Sequence, residues 1–177
     1  HVAGVYKAAY GAKLQSFAPL LVAARAADGQ ILCAAGIRTS RDSFFSDGYL
    51  DAGLSAAIGT RSGIVTPENE IMEVVSLATT TPFPVLGLLD GMIGWGRQNG
   101  MSCGVFTATR TLRRLLKRTN LEYLELAAAD KSRVADPNSW GTYYDTDPWV
   151  CAYHDRPNDP VMLSPRAKGT SLQSEAS

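Results

Sequence analysis

The chain has 177 residues, of which 45% are hydrophobic and 19% charged, and its 17 basic side chains balance 17 acidic ones. This composition fits one globular domain and argues against a disordered chain or one committed as a whole to nucleic acid or anionic membranes. The three cysteines are too widely spaced to encode a disulfide framework or a zinc site, and no apolar run reaches the ~20 residues of a membrane helix, so we expect a cytoplasmic protein without a metal.

The N-terminal segment predicts a helix followed by an antiparallel hairpin. Apolar and aromatic residues recur at helical spacing as far as Tyr10, where a glycine follows as a helix stop. Two apolar runs, 20–27 and 30–38, then flank Asp28 and Gly29. Because this dipeptide tolerates the positive φ of a tight turn, we expect the two runs to pair as antiparallel strands.

A long connection with weak periodicity follows, from residue 39 to residue 69. Its one convincing helical pattern is YLDAGLSAAIG, residues 49–59, and the turn-rich segment TRSGIVTPENE leads out of it. A connection of about thirty residues that carries polar groups is typical of a binding insertion. We therefore expect this segment to contribute to a substrate site.

The next segment changes from a strand pattern to a helix pattern. Residues 71–79 are short, rich in β-branched side chains and nearly uncharged, as in a central buried strand. Pro82 and Pro84 follow that strand. Residues 85–98 then form a wide apolar face with Gly100 just beyond as a C-cap, which predicts a helix packed on the sheet.

Strand and helix patterns continue to alternate through CGVFTATRTLRRLLKRTNLEYLEL. The sequence predicts a strand at 103–107, a helix at 109–118 and a strand at 121–126, with threonines positioned to cap the helix. Together with the preceding strand and helix, this order indicates an α/β sheet with a parallel portion.

The C-terminal part of the sequence divides into a last strand and a tail. Residues 149–153 alternate well enough to form the last strand. Beyond it the chain is rich in proline and serine and carries no aromatic residue. We therefore expect one domain over residues 1–154 and a flexible tail over residues 155–177.

Several motifs resemble those of known families. The order of elements resembles the GNAT-like (N-acyltransferase) fold, and EVVSLATT followed by VLGLLDGMIGWGRQNGMSCGVFTATRTLRRLLKRTNLEYLEL is similar to the acyl-homoserine-lactone synthases. Over residues 1–153 the chain more closely resembles the thermostable hemolysin family, through FFSDGYLD, EVVSLATT, VFTATRTLRRLLKR and WGTYYDTDP. The resemblance implies an α/β fold of one domain, with a GNAT-like mixed sheet flanked by helices.

The same resemblance implies the chemistry of an N-acyltransferase in the synthesis of a signal or specialised metabolite. Such an enzyme moves an acyl group from an acyl carrier protein or acyl-CoA thioester to a small amine or amino-acid-like acceptor by direct attack. The thioester is a co-substrate, and no permanently bound cofactor, nucleic acid or stable membrane insertion is expected. Two alternatives stay open: a membrane-active hemolysin-type protein, which needs an exposed amphipathic segment, and a non-catalytic GNAT-like binding module.

Glu73 and Tyr144 are the candidate catalytic residues. Acyl transfer needs a base, because a protonated amine has no lone pair with which to attack a thioester. Glu73 lies in an apolar strand, where burial raises the pKa of a carboxyl group, and it occupies the acidic position of the lactone-synthase motif. The alternative is that Glu73 merely pairs with an arginine such as Arg38 or Arg110. Tyr144 is the candidate acid for the leaving thiolate, and the alternative is a structural aromatic residue.

In the family fold the thioester lies where strands 71–79 and 103–107 part at their C-terminal ends, with its pantetheine amides on the exposed backbone of the first strand. The implied donor-binding residues are Val75, Ser76, Leu77, Ala78, Thr107, Thr109 and Arg110. Ser76 stands where the lactone synthases carry an arginine, which puts lactone formation itself in doubt. TTTPFP also lacks the glycine-rich loop that binds pyrophosphate, and this absence favours an acyl carrier protein as donor, with coenzyme A as the alternative.

The remaining candidates concern the acceptor and the carrier protein. The candidate acceptor-binding residues are Arg38, Tyr49, Asp51, Tyr143 and Asp145. Basic residues of helix 109–118 form one stripe, and three leucines are expected to face the core: Leu112, Leu115 and Leu116. The stripe would steer an acidic carrier protein through Arg113, Arg114, Lys117 and Arg118, and a solvated face balanced by nearby carboxylates is the alternative.

Overall fold

The computed structural model describes residues 1–119, 121–156 and 158. Its strands are β1 (Leu20–Arg25), β2 (Ile31–Arg38), β3 (Ile71–Thr79), β4 (Cys103–Ala108), β5 (Leu124–Ala128) and β6 (Trp149–His154). Its helices are α1 (Val2–Tyr10), α2 (Gly53–Ser62), α3 (Phe83–Gln98) and α4 (Arg110–Lys117). Most of the predicted tail, 155–177, lies outside the described residues, so its flexibility stays a prediction.

The strands form one mixed sheet in the order β1-β2-β3-β4-β6-β5. β3 and β4 are parallel, and the other neighbouring strands are antiparallel. Parallel neighbours need a long crossover, which α3 supplies. The predicted α/β class, the antiparallel hairpin and the parallel portion are confirmed.

Two predicted elements begin later than expected. The helix predicted at 49–59 begins at Gly53, because Phe45–Tyr49 forms a 3₁₀ turn whose Asp47 carboxylate accepts the Leu54 N–H at 2.8 Å. The strand predicted at 121–126 begins at Leu124. The preceding residues first close the end of α4, where the Thr119 N–H donates to a helix carbonyl.

The core has a layer on each face of the sheet, and β3 contributes to both. Ile71 packs with Leu54 and Ile58 of α2, whereas Met72 packs with Val85 and other apolar side chains of α3. This alternation follows from the two-residue period of a strand. It places Glu73 on the same face as Ile71, towards α2. Within the described part of the chain, no helix combines the length and apolar character that crossing a membrane would require.

A crevice opens between β3 and β4 beyond their paired segment. The parallel pairing runs from Ile71 with Cys103 to Val74 with Phe106, although both strands continue past it. The β2–β3 register also shifts at this level, and Ser76 has a φ of 54°. An extra residue of this kind is a β-bulge, which bends its strand. The expected parting of the two strands is confirmed, with the bulge as its local cause.

The N-terminal segment lies against the loop that precedes β6. The Tyr10 carbonyl accepts the Thr142 N–H at 2.9 Å, and the Lys13 N–H donates to the Ser139 carbonyl at 2.6 Å. The rings of Tyr6 and Tyr143 stack nearby with centroids 6.0 Å apart. Residues distant in sequence thus form one wall beside the crevice.

Gly141→Ala is expected to destabilise this wall. Gly141 has a φ of 54°, and a Cβ there would overlap the Tyr10 carbonyl oxygen, which belongs to the backbone and cannot rotate away. We expect a loss of at least about 2 kcal/mol in the free energy of unfolding, measured by urea denaturation. Gly91→Ala in α3 is the control, because a Cβ there meets nothing within 4 Å and should slightly stabilise the helix. Equal stability of the two variants would contradict the geometry.

Candidate functional site

The crevice opens into two cavities that share part of their lining. We call them the aromatic cavity, of about 370 Å³, and the apolar cavity, of about 710 Å³. Val74, Ser76 and Thr107 border both. A molecule that occupied both cavities would therefore lie against Thr107.

The apolar cavity is bordered by α1, α3 and α4. Its walls are mostly aliphatic or aromatic and include Val85, Leu89, Met92, Ile93, Phe106, Leu112 and Leu115. Two exposed arginines, Arg114 and Arg118, also border it. Such a cavity favours an aliphatic chain inside and an anionic group at its exposed edge.

The aromatic cavity combines ring walls with a few cationic groups. Phe45, Tyr49 and Trp140 supply rings, and the Phe45 and Trp140 centroids are 5.6 Å apart. Arg38 borders the same space and donates through Nη1 to the carbonyls of residues 42 and 43 at 3.0 and 3.3 Å. Its Nε and Nη2 have no hydrogen-bond partner among the described residues. Held in place through one nitrogen, Arg38 keeps two others for an anionic ligand such as a carboxylate.

Glu73 is wholly buried under the 3₁₀ turn. Its Oε2 accepts the Phe45 N–H at 2.7 Å, and its Oε1 accepts the Ser46 N–H at 2.8 Å. It forms no ion pair among the described residues, since Arg38 is held by carbonyls and Arg110 pairs with Asp147 at 3.4 Å. The suggested arginine pair is therefore not formed. Glu73 itself does not border either cavity.

Burial raises the pKa of Glu73, as the sequence predicted. The Ser46 hydroxyl, the two backbone N–H groups and the charge of Arg38 each act in the opposite direction without cancelling this effect. A raised pKa suits a carboxylate that must accept a proton near neutral pH.

Glu73→Gln should change how stability depends on pH. The folded state holds the Glu73 proton more tightly than the unfolded state, so it binds more protons between the two pKa values. The free energy of unfolding therefore decreases as pH rises through that window, from the unfolded pKa of about 4.3 upward. We expect wild type to lose stability relative to Glu73→Gln over this range in urea titrations. If the difference in the free energy of unfolding between wild type and Glu73→Gln stays constant with pH, the Glu73 pKa is not raised.

The tyrosines predicted near the site occupy different positions. Tyr49 and Tyr143 are buried and border the aromatic cavity, and Tyr143 also borders the apolar cavity. Tyr144 borders neither cavity, but its hydroxyl lies 2.6 Å from that of Tyr49. Burial raises the pKa of Tyr144. Tyr144 thus reaches the crevice only through Tyr49.

Two of the predicted acceptor-binding residues lie away from the cavities. Asp51 is exposed and pairs with Arg133 at 2.8 Å. Asp145 is exposed in the 3₁₀ turn Tyr143–Thr146, whose buried side chain is Tyr143. The structure brings Arg38, Tyr49 and Tyr143 together around the aromatic cavity and leaves Asp51 and Asp145 outside its lining.

The predicted donor-binding residues lie mostly along the crevice. Val75 and Ser76 border the aromatic cavity, while Ser76 and Leu77 border the apolar cavity. Thr109 borders the apolar cavity and caps α4 by accepting the Leu112 N–H at 3.3 Å. Two others do not line either space: Ala78 is buried, and Arg110 is exposed in its pair with Asp147.

Arg113 does not belong to an exposed docking stripe. It is buried, with its guanidinium 2.6 Å from Asp147 Oδ2 and 3.2 Å from Glu125 Oε1, and it lies over the Trp149 ring. The helical period places Arg113 on the same side as the buried Leu116. Arg114, Lys117 and Arg118 remain exposed, and Lys117 lies 3.9 Å from Glu125.

The three leucines of α4 face inward, as predicted. Leu116 is buried, Leu112 and Leu115 are partly buried against the core, and all three also border the apolar cavity. The same spacing serves a packed core and a cavity wall. A spacing pattern cannot tell these two environments apart.

Sequence reasoning missed Ser46 and Trp140. The Ser46 hydroxyl lies 3.1 Å from that of Thr107, 61 residues away in sequence. Trp140 forms part of the aromatic cavity. Both lie inside or beside the motifs FFSDGYLD and WGTYYDTDP, and that position was the available signal.

The sequence profile of the family described as Thermostable hemolysin matches residues 1–157. The chain belongs to the thermostable hemolysin family. The resemblance seen in its motifs is thereby confirmed. Comparison with curated protein sequences gives no match.

Solved structures similar to this member of the thermostable hemolysin family include FeeM, MesI and TofI. FeeM, an N-acyl amino acid synthase from uncultured soil microbes, is 12% identical with a TM-score of 0.52, covering 86% of each chain. MesI, a CoA-dependent acyl-homoserine lactone synthase, is 15% identical with a TM-score of 0.51, covering 86% of this chain and 78% of MesI. TofI is 12% identical with a TM-score of 0.52, covering 76% of this chain and 66% of TofI.

These similarities show that the fold is GNAT-like, as expected. This chain spans slightly less than two thirds of the length of TofI. Among the residues that the structure describes, no cluster of histidine, cysteine and carboxylate side chains has the arrangement of a metal site. The three cysteines are buried and free.

Proposed function

We propose that this protein is an N-acyltransferase that moves an aliphatic acyl group from a phosphopantetheine thioester to the amine of an amino acid. One observation carries the proposal: the crevice between β3 and β4 joins an apolar cavity to a cavity with a free guanidinium edge, beside a buried carboxylate. The apolar cavity would hold the acyl chain, the guanidinium edge would bind the acceptor, and the buried carboxylate would act as the base.

The donor occupies the crevice with its acyl chain in the apolar cavity. The volume of about 710 Å³ lies within the range of roughly 300–1,000 Å³ that is usual for small-molecule sites. Each buried methylene contributes about 0.8 kcal/mol, so an aliphatic chain would supply most of the binding free energy. Beyond Val74 the backbone of β3 has no pairing with β4, and its amides are available to pantetheine.

The phosphopantetheine has two candidate sources, an acyl carrier protein and coenzyme A. Pro82 and Pro84 stand at the start of α3 and supply no backbone N–H, so this helix offers a pyrophosphate few donors. Exposed Arg114 and Arg118 at the apolar cavity suit a single phosphate or an acidic carrier surface. A CoA-dependent enzyme such as MesI nevertheless has a similar fold, which supports coenzyme A as the other source.

The acceptor occupies the aromatic cavity. Nε and Nη2 of Arg38 would bind its carboxylate, and the rings of Phe45, Tyr49 and Trp140 would surround its side chain. This arrangement favours an amino acid with an apolar or aromatic side chain. The name of FeeM, an N-acyl amino acid synthase, describes a reaction of the same class on a similar fold.

Glu73 takes the proton of the acceptor ammonium in the proposed reaction. The neutral amine then attacks the thioester carbonyl, the C–N bond forms, and the C–S bond breaks to release a thiolate. The thiolate gains a proton from the Tyr49 hydroxyl, and the Tyr49–Tyr144 pair, whose hydroxyls lie 2.6 Å apart, regains a proton from the nitrogen of the new amide. Overall an ammonium and a thioester become an amide, a thiol and one proton.

Release of thiol tests this function. The protein is incubated with acyl-CoA or acylated carrier protein of varied chain length, each with and without a mixture of amino acids. Amino-acid-dependent thiol release from either donor is expected, and the preferred donor identifies the phosphopantetheine source. Dye-loaded liposomes are treated in parallel. Dye release without any thiol release would contradict acyl transfer and support a lytic function.

A further inference from the structure

The proposed base lies out of reach of both substrates. Glu73 has no exposed surface and does not border either cavity, because the 3₁₀ turn Phe45–Tyr49 covers it. An acceptor amine in the aromatic cavity therefore cannot place its proton directly on the carboxylate. Any transfer to Glu73 needs intermediate groups that both accept and donate a proton.

Two hydroxyl groups fill this gap. Ser46, itself fully buried, donates its N–H to Glu73 Oε1 at 2.8 Å, and its hydroxyl lowers the pKa of the same carboxylate. Ser46 Oγ lies 3.1 Å from Thr107 Oγ1. Thr107 borders both cavities at the point where they meet. The two hydroxyls therefore lie between the crevice and the carboxylate.

We propose that Thr107 and Ser46 form a hydroxyl relay that carries the proton of the acceptor ammonium to Glu73. This inference rests on the proposed acyl transfer. The ammonium gives a proton to Thr107 Oγ1 as Thr107 passes its own to Ser46 Oγ, and Ser46 passes its own to the carboxylate. Both hydroxyls end as they began, Glu73 becomes a carboxylic acid, and the neutral amine attacks the thioester. A hydroxyl can do this because it is donor and acceptor at once.

A purely structural role for the same hydrogen bonds makes a different prediction. The Ser46–Thr107 contact also ties the turn to β4, so its loss could lower activity by moving the turn. A displaced turn changes the KM of the acceptor or the stability, whereas a broken relay changes the pH dependence. Without the relay, only acceptor molecules that are already deprotonated in solution react. The rate then rises with pH around the pKa of the acceptor amine.

Thr107→Val is the central variant, since valine keeps the shape of threonine and removes its hydroxyl. We expect kcat to decrease about 100-fold at about pH 7, with the KM values of both substrates nearly unchanged. The midpoint of the rise of kcat with pH should move from the pKa of Glu73 to the pKa of the acceptor amine. Thr107→Ser should restore the wild-type profile. Thr66→Val is the matched control, because it also removes a threonine hydroxyl, one that is buried and bonded to His154 away from both cavities.

The outcomes separate the relay from the reaction itself. If wild type transfers acyl groups and Thr107→Val retains both its kcat and its pH profile, the relay is wrong and the proposed function stands. A lower kcat with an unshifted pH profile also overturns the relay in favour of the structural role. If wild type releases no thiol with any donor and acceptor, the proposed function fails and the relay fails with it.

Discussion

Glu73→Gln is expected to lower kcat about 1,000-fold at about pH 7, because an amide cannot take the proton of the acceptor ammonium. The KM of the donor should change little, since Glu73 does not border the apolar cavity. Glutamine keeps the size of the side chain, although only its carbonyl oxygen can accept the N–H groups that the carboxylate now receives from Phe45 and Ser46. Folding of the variant is checked by circular dichroism and urea denaturation.

Glu70→Gln is the matched control for this variant. Glu70 stands just before β3 and accepts the Ser102 hydroxyl at 2.7 Å, away from both cavities. Its replacement should leave kcat and its pH dependence unchanged. If Glu73→Gln folds normally and turns over as fast as the control, Glu73 is not the base.

Leu89→Trp is expected to shorten the acyl chain that the enzyme accepts. Leu89 borders the apolar cavity from α3, and the larger indole would occupy space that an aliphatic chain needs. Excluding about four methylenes removes about 3 kcal/mol of binding free energy, or roughly 100-fold in kcat/KM for long-chain donors. Short-chain donors should keep most of their kcat/KM. The measurement is kcat/KM across a series of acyl thioesters.

Leu86→Trp makes the same substitution on the same helix outside the cavity wall. Leu86 is partly buried but does not border the apolar cavity. We expect its chain-length profile to match that of wild type. Equal chain-length profiles for Leu86→Trp and Leu89→Trp would place the acyl chain somewhere other than the apolar cavity.

The sequence predicted the sheet and the burial of Glu73 because both follow from local periodicity. The β-branched run 71–79 and the apolar face of 85–98 indicated a central strand and a covering helix, and the structure has both. Burial raises the pKa of a single carboxylate in an apolar strand, whichever elements cover that strand. These conclusions did not depend on which distant residues meet.

The partners of that carboxylate were not predictable in the same way. Glu73 was expected to be either free for catalysis or paired with arginine, and instead it accepts N–H groups of Phe45 and Ser46, 28 and 27 residues away. Arg113 was placed on an exposed stripe by its spacing, but Asp147 and Glu125 meet it from later elements. Long-range contacts of this kind depend on how loops fold over the sheet, which spacing patterns do not encode.

The roles of apolar residues were ambiguous for a related reason. Leu112 and Leu115 have the helical spacing of core residues, and they both pack against the core and border the apolar cavity. Hydrophobic periodicity reports which side of a helix avoids water, and the wall of an apolar cavity meets that condition as well as a packed core does. The size of the apolar cavity depends on how α1, α3 and α4 lie relative to one another.

Mass spectrometry of the products of an isotope-labelled acyl thioester tests the central claim most directly. The purified protein is incubated with a labelled medium-chain or long-chain thioester, on coenzyme A and on carrier protein, together with a mixture of amino acids. We predict a labelled N-acyl amino acid in an amount equal to the released thiol. Thiol released with labelled free fatty acid alone, or no release from either donor, would contradict acyl transfer to an amine.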